Sequence, residues 1–399
     1  MKREPEKSVC LIVIAGFFIL LCLGVAYAWG IFIVPITTET GWTRTSVSLA
    51  VSILLLVFSL FMPVGGFLEQ KIGPGITALM GGIILSAGWI MASFTNSIKW
   101  LYMTYGLLGG IGTGLSYLPS VSTGIKCFEN RKGLIAGIIT AGFGLGSAFL
   151  APLGVELIEL YGWRRTMFIY GVILGIIISI SSIFLRMPAG ENKKAEIKTD
   201  DNKNNDYIPI RMIKDVSFKT IFFTYFFAML SGMMLIGHIV PFLEDAGYSS
   251  IQASLAITIL AISNGTGRIT VGFLSDKWDK GNILRSLFFI IGITSITLNF
   301  IPSIYLFYIA SVLIGLCFGG FLSIYPAITA EMFGTRYFGV NYGIVFIGYG
   351  LGCFAGPLLG GFFYDAMENY FLAFIIAGII SLSGAGLVEF VLKKSKVKT

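Results

Sequence analysis

Residues 41–71, GWTRTSVSLAVSILLLVFSLFMPVGGFLEQK, and residues 247–277, GYSSIQASLAITILAISNGTGRITVGFLSDK, are two copies of one segment. Set without gaps at an offset of 206, they share ten identities in 31 positions: Gly41, Ser48, Leu49, Ala50, Ile53, Leu54, Gly66, Phe67, Leu68 and Lys71 with their partners. Each copy is an apolar run closed by a charged turn and long enough to cross a bilayer, for which about 20 residues suffice. The second copy carries Arg268 where the first has Met62. A charge at that depth costs about 2.5–3.5 kcal/mol on insertion scales, and arginine cannot shed its proton. No acid or base stands beside it before Asp276 and Lys277. Two readings stay open. The compensating partner is an anion that comes and goes, or else Arg268 snorkels or bonds to backbone carbonyls. It lies about 12 Å from the end of its segment at the helical rise, near the limit for snorkelling, which favours the mobile anion.

The rest of the 399-residue chain has the same character. It is 55% hydrophobic and only 12% charged, with a mean hydropathy of +0.85, against about 25% charged residues in soluble domains. This is the composition of an all-α, multi-pass membrane protein with lipid as its surroundings. Its 50 glycines suit helices that pack closely there. The net charge of +7 is spread over loops without a patch, so nucleic acid is not an expected partner. The cysteines (Cys10, Cys22, Cys127, Cys317, Cys353) sit in or at the ends of apolar segments without metal spacing and read as packing residues. No metal or other cofactor is expected. The apolar run from Val9 to about Ile36 is too long for a signal peptide and reads as the first span.

Apolar segments of spanning length run over 9–36, 47–68, 76–94, 100–127, 133–155, 166–185, 219–243, 251–275, 285–302, 304–330, 339–363 and 371–392, which makes twelve. With both termini in the cytoplasm, 23 of the 28 Lys and Arg fall on the cytoplasmic side. Only Arg44, Lys99, Arg164 and Arg165 fall opposite, with Arg268 between the two sides. That bias sets the orientation, in a cell membrane with termini inside. The polar stretch 186–218 is expected to be a disordered or loosely docked linker between an N-terminal bundle, 1–185, and a C-terminal bundle, 219–399. Ser116 and Pro119 over Ser323 and Pro326 repeat more weakly.

Parallel six-helix repeats joined by a cytoplasmic linker resemble the major facilitator superfamily, whose substrates bind between the halves near the midplane. GGFLEQKIG (65–73) and GFLSDKWDKG (272–281) look like its glycine-acid-basic loops, Glu69-Gln70 departing from the usual pair. YAWGIFIVPI (27–36) with GWTR (41–44), GIGTGLSYLPSV (110–121), KCFENRKGLIAGI (126–138) and NGTGRITVGFLSDK (264–277) resemble the oxalate/formate antiporter branch related to the monocarboxylate transporters. The resemblance implies two pseudo-symmetric six-helix bundles and, by position, a carboxylate-binding arginine at Arg268. It also implies an aromatic pocket lined by Tyr325, Phe321, Tyr117 and Tyr27. The second cation of the resembled oxalate transporter, a lysine on helix eleven, is replaced by Tyr349. One cation suits one carboxylate. Where the animal monocarboxylate transporters have an aspartate one turn before this arginine stands Asn264, on the same helix face; it donates to the substrate or packs against a helix. Helix one also lacks their lysine.

His238 is the only histidine and the only side chain of a type that ordinarily titrates between pH 5 and 8. It is a proton-coupling site or a structural residue, and Pro241 soon after it is expected to kink the helix. The expected function is alternating-access transport of a small organic monocarboxylate resembling lactate, pyruvate or formate, by a monomer, with a proton or a counter-transported anion. Exchange of dicarboxylate for monocarboxylate is the alternative. A membrane enzyme lacks candidate residues for acid–base work, and a receptor lacks a folded signalling domain.

Overall fold

A computed structural model describes residues 6–128, 131–186, 206–301 and 303–396. Among these described residues, twelve helical spans appear. The first, α1, is Glu6–Leu23 continued by a 3-10 turn, Gly24–Ala28, and Gly30–Thr40; α2 is Arg44–Ile72 and α3 Pro74–Ser93. The fourth, α4, runs through Ile98–Leu101, a π stretch Tyr102–Leu108 and Gly109–Cys127. One helical run, Lys132–Ser182, contains two spans, α5 and α6, because Gly162 adopts φ 77°, which only glycine takes readily. In the second half α7 is Val216–Ile236 with Ile239–Asp245, α8 Ser250–Ser275, α9 Lys280–Leu298, α10 Ile304–Phe333, α11 Phe338–Met367 and α12 Phe371–Lys396.

Local chemistry sets the ends. Thr43, Asp215 and Asp279 cap α2, α7 and α9, and α8 opens on a capping box between Ser249 and Gln252. The break in α7 falls at Gly237–His238, one turn before Pro241, whose ring would strike the carbonyl four residues back.

The two halves meet along two helix pairs, α2 with α11 and α5 with α8, and the 206-residue offset governs both. A Cβ on Gly66 would collide with the Gly339 backbone, and one on Gly272 with Gly133. Gly343 lies against Met62, and Gly137 against the Arg268 backbone. Since 66 and 272, 133 and 339, and 137 and 343 are all related by the same offset, the repeat extends into helices five and eleven. Arg268 and Met62 hold equivalent places, each under a glycine of the other half.

The basic end, where α2 turns into α3 and α8 into α9, is closed. Asp276 accepts hydrogen bonds from the N–H groups of Gly133 (2.7 Å) and Leu134 (2.8 Å) at the start of α5, in the opposite half. These are charge-assisted bonds on a helix N-terminus. Glu69, expected in a loop, is instead wholly buried inside α2, because Lys126 (2.8 Å) and Ser122 (2.8 Å) of α4 satisfy one carboxylate oxygen. Of the linker, residues 187–205 lie outside the described residues. Its end, with a short helix Pro209–Lys214, is docked: the Tyr207 N–H donates to Phe333, and Asn341 donates to Tyr207.

Asp276→Ala removes two charge-assisted bonds worth about 1.5–3 kcal/mol each. Spin labels at positions 132 and 277, in a background without native cysteines, should then report at least about a tenfold rise in separated α5 and α8 ends. An unchanged distance distribution would show that this contact does not hold the end closed.

Candidate functional site

Arg268 projects from α8 about two turns before its end and is 1% exposed. Glycines make its place: a Cβ on Gly144 of α5 would lie 3.3 Å from Arg268 Nε, and one on Gly319 of α10 would meet the α8 backbone at Asn264. Its Nε donates to Asn264 Oδ1 at 2.9 Å, one turn earlier on the same face. Its Nη1 donates to the backbone carbonyl of Thr140 on α5, across the interface between the halves. The guanidinium stands 5.9 Å from the centre of the Phe143 ring. Its Nη2 is buried with no hydrogen-bond partner, and among the described residues no carboxylate lies within ion-pair distance. The backbone-carbonyl contact expected in one of the two readings is present. A backbone carbonyl takes one nitrogen, and the charge has no acid to neutralise it.

Around the cation is an aromatic box built by both halves. The 3-10 turn of α1 carries Tyr27, whose hydroxyl lies 2.9 Å from that of Tyr349 on α11. The Arg268 charge acts on the Tyr27 hydroxyl. The Tyr27 ring meets Phe143 edge-on at 5.0 Å. Tyr117 of α4 packs between Phe58 of α2 (5.2 Å) and Phe143 (5.7 Å), and Phe346 of α11 closes on Phe58 (5.0 Å), Tyr117 (5.5 Å) and Tyr349 (4.2 Å). Tyr325 of α10 stacks at 3.9 Å on Tyr225 of α7, which reaches Tyr349 and Phe346 at 5.9 Å each. Aromatic rings at these separations are in direct contact, so the box is closely packed.

Of the residues expected at the site, Arg268, Asn264, Tyr27, Tyr117, Tyr325 and Tyr349 are brought together. Phe321 sits at the back: its ring packs on Phe288 of α9 (4.8 Å) and reaches only the edge of Tyr325 (6.4 Å). His238 stands apart, in the break of α7. It shares hydrogen bonds with the Pro357 carbonyl of α11 (2.9 Å) and the Tyr370 hydroxyl (3.3 Å). The carbonyl can only accept, so Nε2 carries hydrogen there and Nδ1 accepts from Tyr370. Phe58, Phe143, Tyr225, Tyr342 and Phe346 were not singled out in the sequence. The repeat offset was a usable signal for two of them: Phe58 is the counterpart of Asn264, and Phe143 that of Tyr349.

Comparison with known proteins agrees with this architecture. The oxalate:formate antiporter of Oxalobacter formigenes is 27% identical over 386 residues, covering 94% of this chain and 90% of that protein. Monocarboxylate transporter 13 of Rattus norvegicus is 27% identical over 389 residues, covering 95% and 87%. Among solved structures, the fucose:proton symporter of E. coli superposes with a TM-score of 0.71 at 15% identity, over 96% of this chain and 99% of that one. A model of the Major Facilitator Superfamily matches residues 13–304 and again 221–399. The two overlapping matches follow the internal repeat, and the chain belongs to the Major Facilitator Superfamily.

Proposed function

We propose that this protein carries a small organic monocarboxylate, of the size of lactate, pyruvate or formate, across the cell membrane by alternating access. The observation that carries the reading is Arg268: a guanidinium buried between the halves, with Nη2 unpartnered and Nη1 held only by a neutral carbonyl. A carboxylate would take both nitrogens as a bidentate pair, which is stronger than the single bond to Thr140 that it displaces. The Arg268–Thr140 and Tyr27–Tyr349 bonds both cross between the halves, so binding acts on the contacts that rocking must change. The asymmetry of Lys and Arg favours a cytoplasmic location for the basic end and both termini.

A lone anion entering against the membrane potential is opposed by about 2.3 kcal/mol per 100 mV, so uptake needs a proton or an exchanged anion. His238 is the proton candidate. Pro357, its partner, shares a face of α11 with Cys353 and Tyr349, one and two turns on. Protonation makes Nδ1 a donor, so the Tyr370 hydroxyl must turn from donor to acceptor at the α7 break beside that face. Dicarboxylate exchange, as in the name of the Oxalobacter relative, is the second reading; Tyr349 leaves it without a second cation.

The test is uptake of labelled lactate, pyruvate, formate and oxalate into proteoliposomes with an alkaline interior. Monocarboxylates should accumulate in the wild type. His238→Gln should lose pH-driven accumulation and retain exchange. Preference for oxalate would favour the second reading, and no carboxylate uptake would end both.

A further inference from the structure

At the end opposite the basic one, Tyr370 lies over His238. It closes the short step from α11 to α12, where Glu368 adopts φ 56° and its N–H donates to the Tyr364 carbonyl at 2.7 Å. Glu368 is the only non-glycine among the described residues with positive φ, a strained place for a glutamate that persists only where its surroundings hold it. The turn folds the Tyr370 ring back onto Tyr364 (4.5 Å), with Phe374 (5.9 Å) and Phe242 (6.2 Å) also against it. Fixed in this way, Tyr370 is 6% exposed and sets its hydroxyl 3.3 Å from His238 Nδ1. The rest of the imidazole meets neutral groups: the Pro357 carbonyl holds Nε2, and a Cβ on Gly360 would strike the ring. The hydroxyl faces carboxylates instead. Asp245, at the end of α7, and Asp365 act on the Tyr370 hydroxyl, and both act with Glu368 on that of Tyr364. These three acids and Glu244 are exposed, and Tyr364 is half-buried. Tyr370 therefore stands between an acidic aqueous surface and the imidazole.

We infer that Tyr370 passes the coupled proton between the aqueous surface at Asp245 and His238. The inference rests on the reading of His238 as the proton carrier. With Nε2–H held by Pro357, the lone pair that takes a new proton is that of Nδ1, and it already points at the Tyr370 hydroxyl. The Tyr370 hydrogen moves to Nδ1 as its oxygen takes another from a hydronium ion drawn to the Asp245 carboxylate, and that ion leaves as water. One O–H bond breaks on the inner side of the oxygen and one forms on the outer side. Tyr370 ends neutral, turned from donor to acceptor, and His238 ends as imidazolium. Release runs through the same steps in reverse. A phenol suits the place because one oxygen both donates and accepts. The exposed carboxylates raise the local concentration of protons, and their charge favours the imidazolium once it forms.

Labelled lactate in proteoliposomes tests this through two rates: uptake driven by an alkaline interior, and exchange of internal for external lactate at equal pH. Tyr370→Phe keeps the ring and its packing and removes only the oxygen. Driven uptake should fall at least about tenfold while exchange stays within about twofold, since a positioned proton-transfer group contributes only where a proton moves. A fall of both rates together would make the hydroxyl structural and overturn the inference. Asp245→Asn should move the pH of half-maximal driven uptake down by about half a unit, the scale of one exposed charge. An unmoved midpoint would overturn the part given to Asp245. Driven uptake at the wild-type rate in Tyr370→Phe, beside a His238→Gln variant that has lost it, would overturn the inference and leave the proton reading standing. Exchange without any driven uptake in the wild type would overturn both.

Discussion

Arg268→Gln should lose carboxylate binding by about a hundredfold or more while the protein remains inserted and folded. The magnitude follows from the two nitrogens a carboxylate would use, each charge-assisted bond being worth about 1.5–3 kcal/mol. The survival of the fold follows from what Arg268 now contacts. Its neighbours are Asn264 Oδ1, the Thr140 carbonyl, the Phe143 ring and the Tyr27 hydroxyl, all neutral. Removing the charge strands no buried acid, the circumstance that makes breaking a buried ion pair so damaging. The glutamine amide still donates one bond in the same place. Arg268→Lys should rescue poorly, because a compact ammonium lacks the planar fork and cannot hold Asn264 and a carboxylate together. Binding of labelled monocarboxylate, with melting temperature as the control for folding, decides the matter. Transport by Arg268→Gln near the wild-type rate would remove Arg268 from the site.

The residues of α8 were legible in the sequence because a charge in an apolar run is expensive wherever it falls. Arg268 marks a candidate site before any packing is known, and Asn264 follows by helical period. The twelve spans were legible for a similar reason: the bilayer imposes a length on every segment. The aromatic wall was not. With 34 Phe and 17 Tyr in the chain, an aromatic residue on an apolar helix fits lipid, a helix contact or a cavity equally well by composition. Only packing sorts them: Phe346 and Tyr225 face the box, whereas Phe321 turns toward α9. Helix ends were misjudged where pairing replaced solvation. Glu69 extends α2 into what reads as a loop because Lys126 and Ser122 take up its carboxylate. His238 kept two readings for want of its partners, and Pro357 and Tyr370 lie more than a hundred residues away. The dependence of the halves on each other came closest to being visible in advance. The 206-residue register that aligns Met62 with Arg268 also aligns Gly137 with Gly343, so the two glycine crossings were present as one repeat.

Tyr349→Lys should shift preference from monocarboxylates toward short dicarboxylates such as oxalate by about ten- to a hundredfold, the worth of one charge-assisted bond. Tyr349 is suited to the change by position. It is fully enclosed, its ring is stacked on Phe346 at 4.2 Å, and its hydroxyl reaches Tyr27 across the interface between the halves. The four-carbon stem of lysine follows much the same path along Phe346 and carries an ammonium toward the Tyr27 hydroxyl. Two cations then face one cavity. A dicarboxylate neutralises both, and a monocarboxylate leaves one uncompensated in a medium of low dielectric. Repulsion between the introduced ammonium and the Arg268 guanidinium should also lower the melting temperature of the unliganded variant, and oxalate should restore it more than lactate does. Affinity for any anion rises with the added charge, so the ratio is the quantity to measure, by competition of oxalate and lactate against one labelled substrate. A folded variant with an unchanged ratio would show that position 349 does not face the carried anion, and selection of a single carboxylate would then have to be sought elsewhere in the box.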